Sequence, residues 1–328
     1  SMVSTFVLCI FNVLFLSKLH LGIAGYLYSY IISSLVTIVY TIFVIRLNKV
    51  FREGKINRND LKKIFIYSFP LIINALSGWI ITASDRYMIN YFLTENELGL
   101  YSIATKMPSF ITTFSSIFLQ AWTLSAIREH DDNQKNSFYL DIYKKYFFIV
   151  LLSATLLTTI IYPFMKIYVS EDYFTAWKYV PLLLSCVIYM SLINYYSGLY
   201  IAFKKNINIT VTISIGAIAN IILNYFLIPV FRVNGAVIAT YLSWILVFIL
   251  RIFDMKKICN FKDKDRRELL FCILNLIQRI IVTNFPIRIA IILSCMILGL
   301  ILFCYKSYML SIWIFICNKI KGTKGSPR

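Results

Sequence analysis

Apolar residues fall in ten blocks along this 328-residue chain, and the charges collect in the short stretches between them. The blocks run over approximately 2–16, 21–45, 64–93, 100–127, 146–169, 179–203, 209–231, 233–253, 269–285 and 289–317. A helix needs about 20 apolar residues to cross the hydrocarbon core of a bilayer, within a range of about 17–25. Blocks two to eight meet that length, some with residues to spare for tilt. The first is short and the ninth is marginal. The pattern predicts an all-α, polytopic membrane helical bundle of about ten transmembrane helices.

The polar connections predict an orientation. Connections 46–63, 128–145, 204–208, 251–268 and the tail from 306 hold 7, 4, 2, 7 and 5 of the 33 Lys and Arg residues. The alternate connections hold only Lys18, Lys166, Lys178, Arg232 and Arg288. Cytoplasmic loops carry the excess of basic residues, so both termini are expected in the cytoplasm and the protein in the inner (plasma) membrane. The ninth block admits two readings. Asn275, Gln278 and Arg279 share a helical face with Cys272, which fits either a crossing helix with its polar stripe toward protein or an interfacial amphipathic helix. Only the crossing keeps Lys319, Lys321, Lys324 and Arg328 on the cytoplasmic side, and it is the expectation carried forward.

Composition narrows the class. Hydrophobic residues make up 59% of the chain and charged ones 15%, against about 25% charged in an ordinary soluble domain. So much apolar surface needs lipid as its solvent. A net charge of +18 would suit nucleic acid if it formed a stripe, but it is broken into clusters between apolar blocks, which excludes that partner. Seven cysteines (Cys9, Cys186, Cys259, Cys272, Cys295, Cys304, Cys317) show no metal-ligand spacing and read as small buried hydrophobes. The two histidines, His20 and His130, lie in connections without a partner acid or nucleophile at a recognisable spacing. No cofactor site and no enzyme constellation emerge. The opening block also lacks a basic n-region and a small-residue cleavage site, so it does not read as a signal peptide.

A repeat organises the blocks. Asn12-Val-Leu-Phe-Leu-Ser17 followed by Leu21-Gly-Ile-Ala-Gly25 follows the plan of Asn224-Tyr-Phe-Leu-Ile-Pro229 followed by Val233-Asn-Gly235. Each has an Asn about one turn before a helix ends, a tight turn, and a Gly opening the next helix. Such repeats are a common device in transporters, although Gly and Asn also recur at unrelated membrane turns. If each repeat has six helices, 1–45 are the last two helices of a first lobe whose first four are missing. Then 46–63 is a basic linker, 64–255 a second six-helix lobe, 256–268 a basic cytoplasmic loop, 269–317 a helix pair and 318–328 a tail.

Charges inside membrane helices are costly and tend to face a cavity or a partner. The block at 64–93 carries Asp85 and Arg86, and the next carries Lys106. All three sit about ten residues from a turn centred near Asn96, so they are expected at similar depth, with Asp85 able to pair with Lys106. Asp85 and Arg86 point about 100° apart. Two readings stand side by side: a closed Asp–Lys–Arg cluster that staples the hairpin, or a surplus cation facing a cavity that would suit an anion such as a pyrophosphate. Asn74, Gln120, Asn194, Asn220 and Asn224 are candidates for helix packing or for cavity lining.

Asp85-Arg86-Tyr-Met-Ile, Glu97-Leu-Gly99-Leu-Tyr101-Ser-Ile-Ala-Thr-Lys106-Met-Pro108 and Gln120-Ala-Trp122 resemble the oligosaccharide (O-antigen or capsular repeat-unit) flippases. These form the polysaccharide-biosynthesis branch of the superfamily that includes multidrug exporters and the lipid II flippase. The resemblance covers roughly residues 1–305. It implies translocation of an undecaprenyl-pyrophosphate-linked oligosaccharide by alternating access around a cationic cavity, for surface polysaccharide synthesis. From their charges and amides inside apolar blocks, Asp85, Arg86, Lys106, Asn74, Gln120 and Asn194 are the residues expected at such a cavity. Implied partners are the lipid-linked oligosaccharide, membrane lipids, and a polysaccharide polymerase with chain-length proteins; a coupling ion would be sodium or a proton. Other readings are a cation-coupled multidrug exporter of the same fold, a membrane polymerase or glycosyltransferase, and an inactive fragment.

Overall fold

The structure is a computed structural model in which residues 2–45, 57–129, 135–258, 267–306 and 309 are described. His130, Cys259, Cys317, most of the expected linker, most of the loop at 256–268 and the tail lie outside those residues. Among the described residues there is no strand, and the expected all-α class holds. The helices are α1 (Met2–Asn12, continued by a π-helical turn Val13–Lys18), α2 (Gly22–Ile45), α3 (Arg58–Phe92), α4 (Glu95–Ala104), α5 (Lys106–Arg128) and α6 (Lys135–Tyr168). They continue with a short 3₁₀ segment (Glu171–Lys178), α7 (Val180–Ala202), α8 (Asn206–Phe231), α9 (Val233–Ile258), α10 (Arg267–Asn284) and α11 (Ile287–Cys304).

Seven helical segments are long and apolar enough to cross a membrane among the described residues: α2, α4–α5 taken together, α6, α7, α8, α9 and α11. The chain is a multi-pass membrane protein. α3 and α10 are absent from that set, and each carries charged and amide side chains within its length. α3 has 35 residues, about 52 Å at 1.5 Å per residue, which exceeds the bilayer core.

Two compact units divide the chain, 1–66 and 67–328. In the first, α1 and α2 form an antiparallel hairpin. Ser33 Oγ donates to the carbonyl of Ser4 at 2.7 Å, while Gly25 lies against Phe15 near the turn. Hydroxyl-to-carbonyl bonds of this kind tie helices together where no water competes.

The second unit is built around α7, which is buried along nearly its whole length. α5 packs on it through Trp122, whose indole N–H donates to the carbonyl of Tyr195 at 3.0 Å and whose ring stacks on Tyr195 at 4.5 Å. Tyr195 in turn donates to the carbonyl of Tyr139 on α6 at 2.6 Å. α8 and α9 form a close pair; a Cβ on Gly216 would stand 2.2 Å from Val247. At one end, Arg232 in the α8–α9 turn meets Glu97 at the start of α4 at 2.7 Å, and Tyr173 of the 3₁₀ segment covers Gly99. At the other end, Tyr200 and Asn208 both donate to Asp254 at 2.7 Å. The start of α4, the 3₁₀ segment and the α8–α9 turn are thereby gathered at the first end of this unit, and the α7–α8 connection bearing Lys204 and Lys205 at the second.

One expectation changes. The apolar pattern ended the eighth helix near 253 and counted Arg251 with the following loop, whereas α9 continues to Ile258 and Arg251 is 1% exposed. Its guanidinium donates to the carbonyls of Ile193 and Ile209 and to Ser197 and Thr212, and it lies over the ring of Tyr200. It is a clamp joining α7, α8 and α9. α10, the ambiguous ninth block, runs beside α6. Gln278 donates to the carbonyl of Thr155 at 3.1 Å and to Thr159 Oγ1 at 3.0 Å, and Asn275 accepts from Ser185 of α7 at 2.6 Å. Those two residues of its polar stripe face protein.

Candidate functional site

Asp85 lies seven residues before the C-terminal end of α3 and is fully buried. A carboxylate in that position needs every lone pair satisfied. Four side chains from three other helices supply hydrogens. Tyr101 of α4 donates to Oδ2 at 2.5 Å, and Thr240 of α9 donates to the same oxygen at 2.5 Å. From α8, Asn224 donates to Oδ1 at 2.6 Å and Asn220 at 3.3 Å. The shell is itself organised: Ser84 and Asn224 both donate to Asn220 Oδ1, at 2.6 and 3.1 Å. Asn220 and Asn224 are one helical turn apart, which puts both amides on one face of α8.

Every partner of Asp85 is neutral, and the expected pairing with Lys106 is not made. α4 ends at Ala104 and α5 begins at Lys106. Five residues separate Lys106 from Tyr101, so even an unbroken helix would turn Lys106 about 140° away. Lys106 is exposed, as is Arg86. The side chains of both are free of hydrogen bonds and ion pairs among the described residues. The expected divergence of Asp85 and Arg86 is observed, one inward and one outward.

Lys106 heads a polar stripe. Lys106, Ser109, Thr113, Ser116 and Gln120 recur every three or four residues on α5, and all are exposed. Ser109, Thr113 and Ser116 return their hydrogens to their own helix, leaving oxygen lone pairs outward. α3 presents a second stripe, Thr82, Arg86 and Asn90, all exposed. On a membrane helix such a face belongs to water or protein, not to lipid. Of the other candidates, Asn74 and Asn194 are half-buried. The structure thus separates the candidates into a closed carboxylate cluster around Asp85 and two exposed polar stripes, one on α5 headed by Lys106 and one on α3 bearing Arg86.

Tyr101, Asn220, Asn224 and Thr240 complete the carboxylate cluster; Asn220 and Asn224 were candidates for helix packing or cavity lining, whereas Tyr101 and Thr240 were not singled out. The asparagines had a signal, being amides inside apolar helices. Thr240 had none, since threonine is common in such helices. Among the described residues no three His, Cys, Asp or Glu side chains come together as a metal site would require. A cation at Asp85 would depend on neutral oxygens, and the buried Asn224 Oδ1 has no hydrogen-bond partner.

Residues 1–123 match the family model described as polysaccharide biosynthesis protein. A lipid II flippase, MurJ in an inward closed conformation, superposes with a TM-score of 0.66 at 16% identity, over 94% of this chain and 67% of that one. The fold is similar to that of the lipid II flippase. A MOP superfamily transporter from Pyrococcus furiosus matches more loosely, with a TM-score of 0.40 at 16% identity over 66% of this chain and 52% of that one. No curated protein sequence matches the chain.

Proposed function

We propose that this chain moves an undecaprenyl-pyrophosphate-linked oligosaccharide across the inner membrane by alternating access, for surface polysaccharide synthesis, and is a transporter, not an enzyme. The observation that carries this reading is the exposed stripe on α5, with Lys106 unpaired at its head and Arg86 unpaired on α3. A guanidinium and an ammonium without counter-ions attract a phosphate-bearing ligand. The row of serine, threonine and glutamine oxygens below Lys106 suits sugar hydroxyls. The family match over 1–123 and the flippase-like fold support the same class.

Asp85 has a separate role in this reading. Its charge has no cationic partner, so it is balanced by a proton or by a small cation such as sodium. The cluster joins α3, α4, α8 and α9, so binding or release of that ion changes the packing of four helices at once. That makes it the coupling site of the transport cycle. A cation-coupled multidrug exporter would share the cluster, but an unpaired cationic face disfavours cationic drugs.

The test is charge reversal in cells. Lys106→Glu or Arg86→Glu should abolish surface polysaccharide, with lipid-linked repeat units accumulating inside, while Lys106→Arg retains export. Normal export by both reversals sinks the assignment. Drug hypersensitivity with intact surface glycan favours the exporter.

A further inference from the structure

We propose that Trp79 and Tyr87 of α3 form a platform for a sugar ring, a saccharide subsite beside Arg86. The proposal rests on the transport reading and takes it one chemical group further, from the phosphate to the sugar bonded to it.

Two rows of side chains cross on the exposed face of α3. Trp79, Ala83 and Tyr87 repeat every four residues, and Trp79, Thr82, Arg86 and Asn90 every three or four. Residues so spaced share one face of a helix. The indole of Trp79 and the phenol of Tyr87 meet across two turns, with ring centroids 6.4 Å apart and planes inclined at 61°. Their backbones are about 12 Å apart along the axis, so the two side chains lean toward each other. The position between them in the row is Ala83, which has no side chain long enough to hold them apart. The corner made by the rings is open, with Trp79 58% and Tyr87 69% exposed. Among the described residues neither the indole N–H nor the phenol hydroxyl has a hydrogen-bond partner.

Aromatic residues on membrane helices ordinarily collect at the two interfaces. Trp79 stands thirteen residues before the end of α3 at Phe92, about 20 Å along the axis and within a hydrocarbon core of about 30 Å. The next two turns of its own stripe carry Thr82 and Arg86, groups that lipid does not solvate. This part of the face therefore meets water or a polar ligand, and it holds two bare aromatic rings. Sugars match that combination. The C–H bonds on one face of a pyranose pack on an aromatic ring, whose negative face attracts their hydrogens, while the hydroxyls at the rim bond to polar neighbours. Thr82 gives its hydrogen to carbonyls of its own helix, which leaves its oxygen to accept from a sugar hydroxyl. Arg86 is two turns from Trp79 and adjoins Tyr87, so a phosphate held there brings the attached sugar to the rings. A bilayer phospholipid has no such ring to stack. A cationic drug, which would also favour an aromatic face, is repelled by Arg86.

The test compares two ligands that differ only in the sugar, undecaprenyl pyrophosphate and undecaprenyl-pyrophosphoryl-N-acetylglucosamine. Their binding to the purified chain in detergent is measured for wild type, Trp79→Leu, Trp79→Phe, Tyr87→Leu, Tyr87→Phe and Arg86→Glu. Wild type should bind the sugar-bearing lipid more tightly. Trp79→Leu and Tyr87→Leu should each weaken that ligand roughly threefold to tenfold and leave undecaprenyl pyrophosphate unchanged. Trp79→Phe and Tyr87→Phe keep an aromatic face and should retain most of the preference, whereas Arg86→Glu should weaken both ligands alike. Both rings are exposed, so all four substitutions of them should unfold at the wild-type midpoint, and the two positions test the platform independently. Leucine variants that bind both ligands as wild type does overturn the proposal. Variants that weaken both ligands equally overturn it too, since the rings would then serve the lipid or the fold. Wild type that binds the two ligands equally well removes the platform alone; wild type that binds neither removes the transport reading with it.

Discussion

Asp85 shows how one residue can tie four helices together. Its hydrogen bonds come from α4, α8 and α9, and each donor has its own place in the shell. Removing one donor while keeping its shape leaves a buried carboxylate oxygen short of a partner, at a cost of about 1–3 kcal/mol. Thr240→Val should therefore lower the thermal unfolding midpoint of the purified protein. Tyr101→Phe should do the same, and the double variant should fall short of the sum because both serve Oδ2. Fully additive losses would mean that the two donors do not share an oxygen. Arg251 carries a second prediction. It offers a planar fork to two carbonyls and two hydroxyls on α7 and α8, and lysine cannot reproduce that geometry. Arg251→Lys should destabilise clearly, and an unfolding midpoint equal to wild type would remove its role as a clamp. Sequence reasoning reached Asp85 but assigned it Lys106, because depth along antiparallel helices can be counted while rotation cannot. It placed Arg251 in a loop because arginine ends an apolar run whether or not the helix continues.

Helix boundaries were far easier to read than helix partners. The blocks expected at 179–203 and 209–231 appear as α7, Val180–Ala202, and α8, Asn206–Phe231, since twenty apolar residues in lipid have no alternative to a helix. The repeat noted at Gly25 and Gly235 has a common geometry. A Cβ on Gly25 would lie 3.1 Å from Phe15 Cβ, and one on Gly235 would lie 2.2 Å from the carbonyl oxygen of Leu227. Each glycine lets a helix start against the last turns of the helix before it. At Gly235 the obstacle is backbone, which cannot rotate away. Gly235→Ala should thus force the α8–α9 turn apart at a cost of about 1–3 kcal/mol, with Asn220 and Asn224 displaced from Asp85 as a consequence. Gly299→Ala is the matched control: nothing lies within 4 Å of the added methyl on α11, so it should be neutral or stabilising by about 0.5–1 kcal/mol. A midpoint for Gly235→Ala at or above that of Gly299→Ala would show that the turn has slack.

At the scale of the whole molecule the orientation is the property that both charge pattern and structure address. α7 has 23 residues, about 34 Å, against a hydrocarbon core of about 30 Å. The 3₁₀ segment before it shares an end of the second unit with Glu97 and Arg232, and Lys204 and Lys205 follow it at the other. Basic residues stay on the cytoplasmic side during insertion, so Ser170 should face outward and Lys205 inward. Both are exposed, and each can carry a reporter thiol in a chain whose seven cysteines have been replaced by serine. A membrane-impermeant maleimide should label Ser170→Cys in intact cells, and Lys205→Cys only after the membrane is opened. The reverse pattern would invert the orientation, placing Glu97 and Arg232 in the cytoplasm. Labelling of both from outside would mean that α7 does not cross.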